Sequence, residues 1–219
     1  MMRRVFVQLL LLCTLIAARG ACAAGMDSLD TFLRTVGSAR AEFSQVVTAP
    51  ARDGQAAKTK TSSGSFEFSR PGKFRFVYRK PFDQTIVADG QTLWLFDAEL
   101  NQVTARKQAQ ALGSTPAALI ASAPDLRALQ AEFSLQSAPD QDGLEWVVAT
   151  PKSRDGQLQS VRVGFRTGNS GAVTLAVLEI LDGFGQRSVL TFSRFETNPT
   201  LPADTFVFKP PAGADLIRQ

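Results

Sequence analysis

A chain of 219 residues, 44% hydrophobic, 20% charged and carrying a net charge of +4, is the right size for one domain if it is mostly β. It contains no histidine, and its two cysteines, Cys13 and Cys22, both lie near the N-terminus. That composition removes Ser-His-Asp and Cys-His nucleophilic chemistry and the common zinc sites, and no Walker or dinucleotide loop appears in the sequence.

The first 23 residues read as an address. MMRR carries positive charge, VFVQLLLLCTLIAA (5–18) is an apolar run, and ACA (21–23) places small residues where a signal peptidase reads them. The run is too short and wrongly flanked for a retained membrane span, so 1–23 is expected to be a secretory signal peptide, cut after Ala23 with Ala24 as the runner-up. Cys22 follows Arg19-Gly20-Ala21 and Cys13 follows three leucines, neither of which fits a lipid-attachment site. The expected mature chain, 24–219, is therefore a single unlipidated domain without disulfides. Removing the signal takes three arginines and no acidic residue, so the net charge falls from +4 to +1. That leaves no electrostatic footprint for nucleic acid.

In MDSLDTFLRTVG (26–37), Leu29, Phe32, Leu33 and Val36 recur at helical spacing, and Asp27 and Gly37 mark its ends. The apolar period then changes to two. Strands are expected at 39–48, 62–69, 73–79, 84–88, 91–96, 100–105, 131–137, 144–150, 157–165, 172–181, 187–196 and 206–208. Asp-Gly pairs at 53–54, 89–90, 142–143, 155–156 and 182–183 signal hairpin turns. The pattern predicts an antiparallel meander of about eleven strands, with 52–63 as one polar hairpin loop. DQDG (140–143) lacks the later acidic ligand of a calcium loop and reads as a turn. GSTPAALIASAPDLRALQ (113–130) interrupts the meander with two short helices, capped by Thr115 and opened by Pro116 and Pro124. Each is far below the roughly 12–15 residues an isolated helix needs in water. The first is apolar nearly all round, through Leu119 and Ile120, so it must dock on an apolar surface.

FEFSRPGKFRF (66–76) holds an arginine at a hairpin turn. A two-residue turn would set Phe66 and Phe68 on the face opposite Phe74 and Phe76. A three-residue loop at 71–73 pairs Arg70 with Phe74, Phe68 with Phe76 and Phe66 with Tyr78, gathering the aromatics and Arg70 on one face. Two readings of Arg70 then stand. It lays its stem on the rings and reaches water, or it donates to unpaired carbonyls of the short helices covering that face.

Taken together, AEFSQ (41–45), RPxxF (Arg70 to Phe74), DGQTLWLFD (89–97), GSTPAALIA (113–121) and FVFKPPAG (206–213) resemble the LolA family of outer-membrane lipoprotein carriers, in order and spacing, across essentially the whole mature chain. The resemblance implies an incomplete, open β-barrel with a helical lid, formed near 26–37 and 113–130, over a hydrophobic cavity. It implies that Arg70 latches the lid and that Phe43, Phe66, Phe68, Phe74, Phe76, Leu119 and Ile120 line the cavity. It implies a monomeric periplasmic carrier, not an enzyme and without a cofactor. Such a carrier would take acylated lipoproteins from an inner-membrane ABC transporter (LolCDE) and deliver them to an outer-membrane receptor (LolB). A carrier of another lipid or glycolipid on the same scaffold is the alternative, and a histidine-free carboxylate hydrolase is a more distant rival.

Overall fold

The computed structural model describes residues 24–51, 56–111, 123–153 and 158–219. The expected signal segment 1–23 and the first predicted lid helix, with Leu119 and Ile120, lie outside the described residues. Helix α1 (Ala24–Thr35) buries Leu29, Phe32 and Leu33, three members of the stripe that its sequence spacing predicts. The strands β1 (Ser38–Thr48), β2 (Thr59–Ser69), β3 (Lys73–Lys80), β4 (Gln84–Asp89), β5 (Thr92–Asp97) and β6 (Gln102–Lys107) follow as a meander. Two short helices, α2 (Gln108–Ala111) and α3 (Leu126–Glu132), flank the undescribed stretch. A second meander comprises β7 (Phe133–Gln141), β8 (Leu144–Pro151), β9 (Leu158–Thr167), β10 (Val173–Asp182) and β11 (Arg187–Thr197), and β12 (Asp215–Arg218) ends the chain.

All twelve strands form one sheet in the order β12-β6-β5-β4-β3-β2-β1-β11-β10-β9-β8-β7. The two meanders join where β1 pairs antiparallel with β11. The sheet curls but does not close, because β12 and β7 are edges that do not meet. This is the open β architecture that the sequence leads one to expect, with two corrections at its C-terminal end. Residues 206–208 are not a strand. Phe208 instead stacks its ring on Trp94 at 5.5 Å, covering the outer surface of β5. The missing strand is β12, which pairs parallel with β6, Leu216 opposite Val103. The 52–63 loop is also shorter than predicted, since β2 begins at Thr59, paired with Thr48.

The β7–β8 turn shows why Asp-Gly was informative. Asp142 and Gly143 both take positive φ, 56° and 70°, the backbone of a tight hairpin whose twist matches its strands. Asp89-Gly90 works differently. One Asp89 carboxylate oxygen accepts from Gln91 N and Thr92 N, and the other from Trp94 Nε1. Burial pushes the Asp89 carboxyl up, but these hydrogen bonds outweigh it and hold it below its usual range. The DGQTLW motif is thus a self-capping turn that fixes Trp94.

The alternation of side chains decides what the curl encloses. Phe43, Phe66, Phe68, Phe74, Phe76 and Phe192 all point to the concave side and join α1 in one buried cluster. Gly64 is obligatory in this wall, because a Cβ there would lie 1.9 Å from the carbonyl oxygen of Val77. α1 lies on the concave side against β7–β10, so close at its start that a Cβ on Gly25 would lie 2.1 Å from Trp146 O.

Candidate functional site

The β2–β3 hairpin orders the site. Ser69 pairs with Lys73, Phe68 with Phe74, Phe66 with Phe76 and Gly64 with Tyr78. The turn is therefore Arg70-Pro71-Gly72, not 71–73, and every expected pair is displaced by two residues. A two-residue shift keeps the parity of the pleat, so the aromatics still share one face. Gln108 holds this turn: its Nε2 donates to Gly72 O at 2.6 Å, and its Oε1 accepts from Gly90 N at 2.9 Å. Nothing in the local sequence marks Gln108 for this role.

The face is a continuous floor of rings. Phe66 stacks on Phe76 at 4.3 Å, Phe43 meets Phe76 edge-on at 5.4 Å, and Phe66 reaches Phe192 at 5.5 Å. Phe74 contacts Phe76, and Phe68 contacts Phe66 and Phe32. Phe66, Phe68 and Phe74 have no exposed surface at all. These rings are packed against one another rather than lining open space.

Among the described residues, a small enclosed space lies beside them. A cavity of about 30 Å³ sits between Leu29, Phe32 and Leu33 of α1, Leu129 of α3, and Leu135, Val147, Val163 and Phe165 of β7–β9. Phe165, which looks in sequence like ordinary core, is part of its wall. That volume has room for no more than a few water molecules, so no acyl chain fits without moving part of the wall.

Arg70 bridges the two parts of the cover. Its Nε donates to Val36 O at 3.0 Å, just beyond the C-terminus of α1, and its Nη1 donates to Ala123 O at 2.7 Å, just before α3. The first acceptor is one of the carbonyls a helix end leaves unpaired, where a cation is also favoured by the helix dipole. The guanidinium lies over the rings of Phe68 and Phe32, at 5.3 and 5.6 Å. Its Nη2 is buried and has no partner among the described residues. Burial pulls the guanidinium down to about 10, which leaves it charged at neutral pH.

The two arms are unequally anchored. Asn198 Nδ2 donates to Thr35 O, and its Oδ1 accepts from Gly37 N and Ser38 N, so the end of α1 is fixed without Arg70. Helix α3 has seven residues, one of them buried (Leu129), and an N-cap in which Asp125 accepts from Ala128 N. Lys152 adds a bond from Nζ to Gln130 O. The α3 arm is the weaker one.

At the opposite end of the floor, Tyr78 O–H donates to Gln45 Oε1 at 2.9 Å, and Gln45 Nε2 donates to Ser188 Oγ at 2.7 Å. Burial pushes the Tyr78 hydroxyl up to about 12. Between pH about 10 and 12 the unfolded chain would be ionised while the folded one keeps its proton. The stability Tyr78 contributes is therefore complete below pH about 10 and is lost as pH rises toward 12. Tyr78 is the chain's single tyrosine, so an ultraviolet phenolate titration reads it directly. The expected native midpoint is near 12, moving to about 10 in denaturant; a native midpoint near 10 would place the ring in water.

Known proteins resemble the chain over most of its length. The family model described as outer membrane lipoprotein carrier protein LolA matches residues 34–209. The chain belongs to the LolA family. An outer-membrane lipoprotein carrier protein of Albidiferax ferrireducens is 71% identical over 197 residues, covering 90% of this chain and 92% of that protein. One from Methylibium petroleiphilum is 53% identical over the whole of both chains. Among solved structures, a LolA superfamily protein from Nitrosomonas europaea is similar with a TM-score of 0.46 and 15% identity, over 84% of this chain and 98% of that one. LolA is a carrier family by description.

Proposed function

We propose that this LolA-family chain is a periplasmic carrier. It binds the acyl chains of lipoproteins released from the inner membrane and delivers them to a receptor at the outer membrane. The observation that carries the reading is an aromatic floor roofed by helices, with one half-buried arginine hydrogen-bonded to both arms of the roof. Each methylene shielded from water is worth about 0.8 kcal/mol, so an acylated protein cannot cross an aqueous compartment unshielded at a useful rate. No ATP drives release there, and none is needed if the roof closes by itself. Cargo that must displace a roof binds more weakly than in a preformed pocket, by the free energy of closing it. In this reading Phe43, Phe66, Phe68, Phe74 and Phe76 form the cargo surface, joined by Leu119 and Ile120, and Arg70 is the latch. Loading would come from the inner-membrane ABC transporter LolCDE and unloading would be to LolB.

The carrier is expected to be cut before Ala24 and to carry no lipid itself. N-terminal sequencing that found an acylated Cys22 would make it an anchored receptor instead. Protein purified from its host and analysed by mass spectrometry should carry acylated lipoproteins. Glycolipid or phospholipid alone as the bound material would overturn the assignment of cargo.

A further inference from the structure

The concave face changes character along one line. Toward the end that carries the β1–β2, β3–β4 and β5–β6 turns, each strand passes from an apolar to a polar residue two positions on. Phe43 gives way to Gln45 in β1, Phe76 to Tyr78 in β3, Ile86 to Gln84 in β4 and Leu95 to Asp97 in β5, while Gly64 gives way to Ser62 in β2. The register sets these side by side: Gln45 opposite Ser62, Tyr78 opposite Gln84, and Gln84 opposite Asp97. They line a groove of about 280 Å³ that opens to solvent past Lys60, Phe82 and Glu99. The groove is some nine times the volume of the cavity under the helices, room for a short stretch of polypeptide where the other holds at most a few waters.

We propose that this groove seats the polypeptide directly following the acylated residue of the cargo, while the acyl chains lie along the Phe43–Phe76 floor. The inference rests on the carrier reading above. Peptide backbone carries both donors and acceptors, and so do the side-chain amides and hydroxyls of Gln45, Ser62, Tyr78 and Gln84. The Tyr78–Gln45–Ser188 chain uses only part of that capacity and fixes the geometry of the remainder. The charge selects between occupants. Asp83, Asp97 and Glu99 outnumber Lys60 around the groove, which disfavours the phosphate of a lipid headgroup and suits an uncharged or basic peptide.

The test uses the double variant Tyr78→Phe with Gln45→Leu, beside Tyr78→Phe alone, which keeps the ring. Three probes are titrated: a synthetic N-palmitoyl, S-diacylglyceryl cysteinyl pentapeptide, a fluorescent fatty acid, and lysophosphatidylglycerol. The double variant is expected to lose about tenfold in affinity for the lipopeptide, with the other two unchanged and Tyr78→Phe intermediate. Equal losses on all three would mean that these residues only support the floor, and would overturn the proposal, as would full lipopeptide affinity. A loss confined to lysophosphatidylglycerol would make the groove a headgroup site and equally overturn it. Wild-type protein that binds none of the probes would overturn the carrier reading itself, and this inference with it.

Discussion

Arg70→Leu is expected to load lipoprotein and fail to deliver it. The substitution keeps aliphatic bulk over Phe68 and Phe32 but removes the bonds to Val36 O and Ala123 O. Only the bond to Ala123 O is broken when the α3 arm lifts, and a charged hydrogen bond contributes roughly 1.5–3 kcal/mol, which would by itself favour the open form by about one to two orders of magnitude. The closed form, however, also buries a guanidinium whose Nη2 has no partner among the described residues, a cost that leucine does not incur. The net shift therefore falls at the lower end, about tenfold. The empty variant should bind an apolar dye more strongly and accept cargo at least as well as wild type. Its cargo should leave less readily, because closure no longer helps to expel it. Loading and delivery are measured separately; wild-type delivery by this variant would reduce Arg70 to a packing residue.

The second large effect is on stability. Phe74 is fully buried, in contact with Phe76 and paired across the hairpin with Phe68. Phe74→Glu removes a core ring, typically about 3–5 kcal/mol when truncated to alanine, and adds a carboxylate with no partner. A loss above about 4 kcal/mol should lower the melting temperature by roughly 8–16 °C for a domain of this size, against a total stability of about 5–15 kcal/mol. Phe74→Leu keeps an apolar side chain and should stay folded. Calorimetry on both separates the cost of charge from the cost of lost volume. A Phe74→Glu variant that melted within a few degrees of wild type would show that the floor opens to water in the empty protein.

Much of this was legible in the sequence because alternation and turn chemistry are local. Phe43, Phe66, Phe68, Phe74 and Phe76 share a face for the period-two reason that made them candidates. The hairpin register lies two residues from the one the local sequence predicts, because the turn spans Arg70–Gly72 and Gln108 of a distant segment holds it. The acceptors of Arg70 lie 34 and 53 residues away, and no local pattern points to a particular carbonyl. β12 is not legible in the sequence because four residues, Asp215–Arg218, have no readable period, and among the described residues their only strand partner is β6 across a parallel edge. Phe206–Phe208 has the strand-like composition instead, yet Phe208 serves as a cover for Trp94. That the small cavity among the described residues sits beside Phe165 and Leu129 follows from how α1 and α3 pack.

The central claim is that cargo enters by displacing the α3 arm of the roof. Both native cysteines fall in the expected signal segment, so Leu129→Cys supplies a single thiol on the expected mature chain, 24–219, at the buried position of α3. Maleimide labelling of that thiol is measured with and without a saturating synthetic lipopeptide. Slow labelling in the empty protein and fast labelling in the loaded one is the predicted result. Equal, slow labelling in both states, with lipopeptide bound, would contradict it.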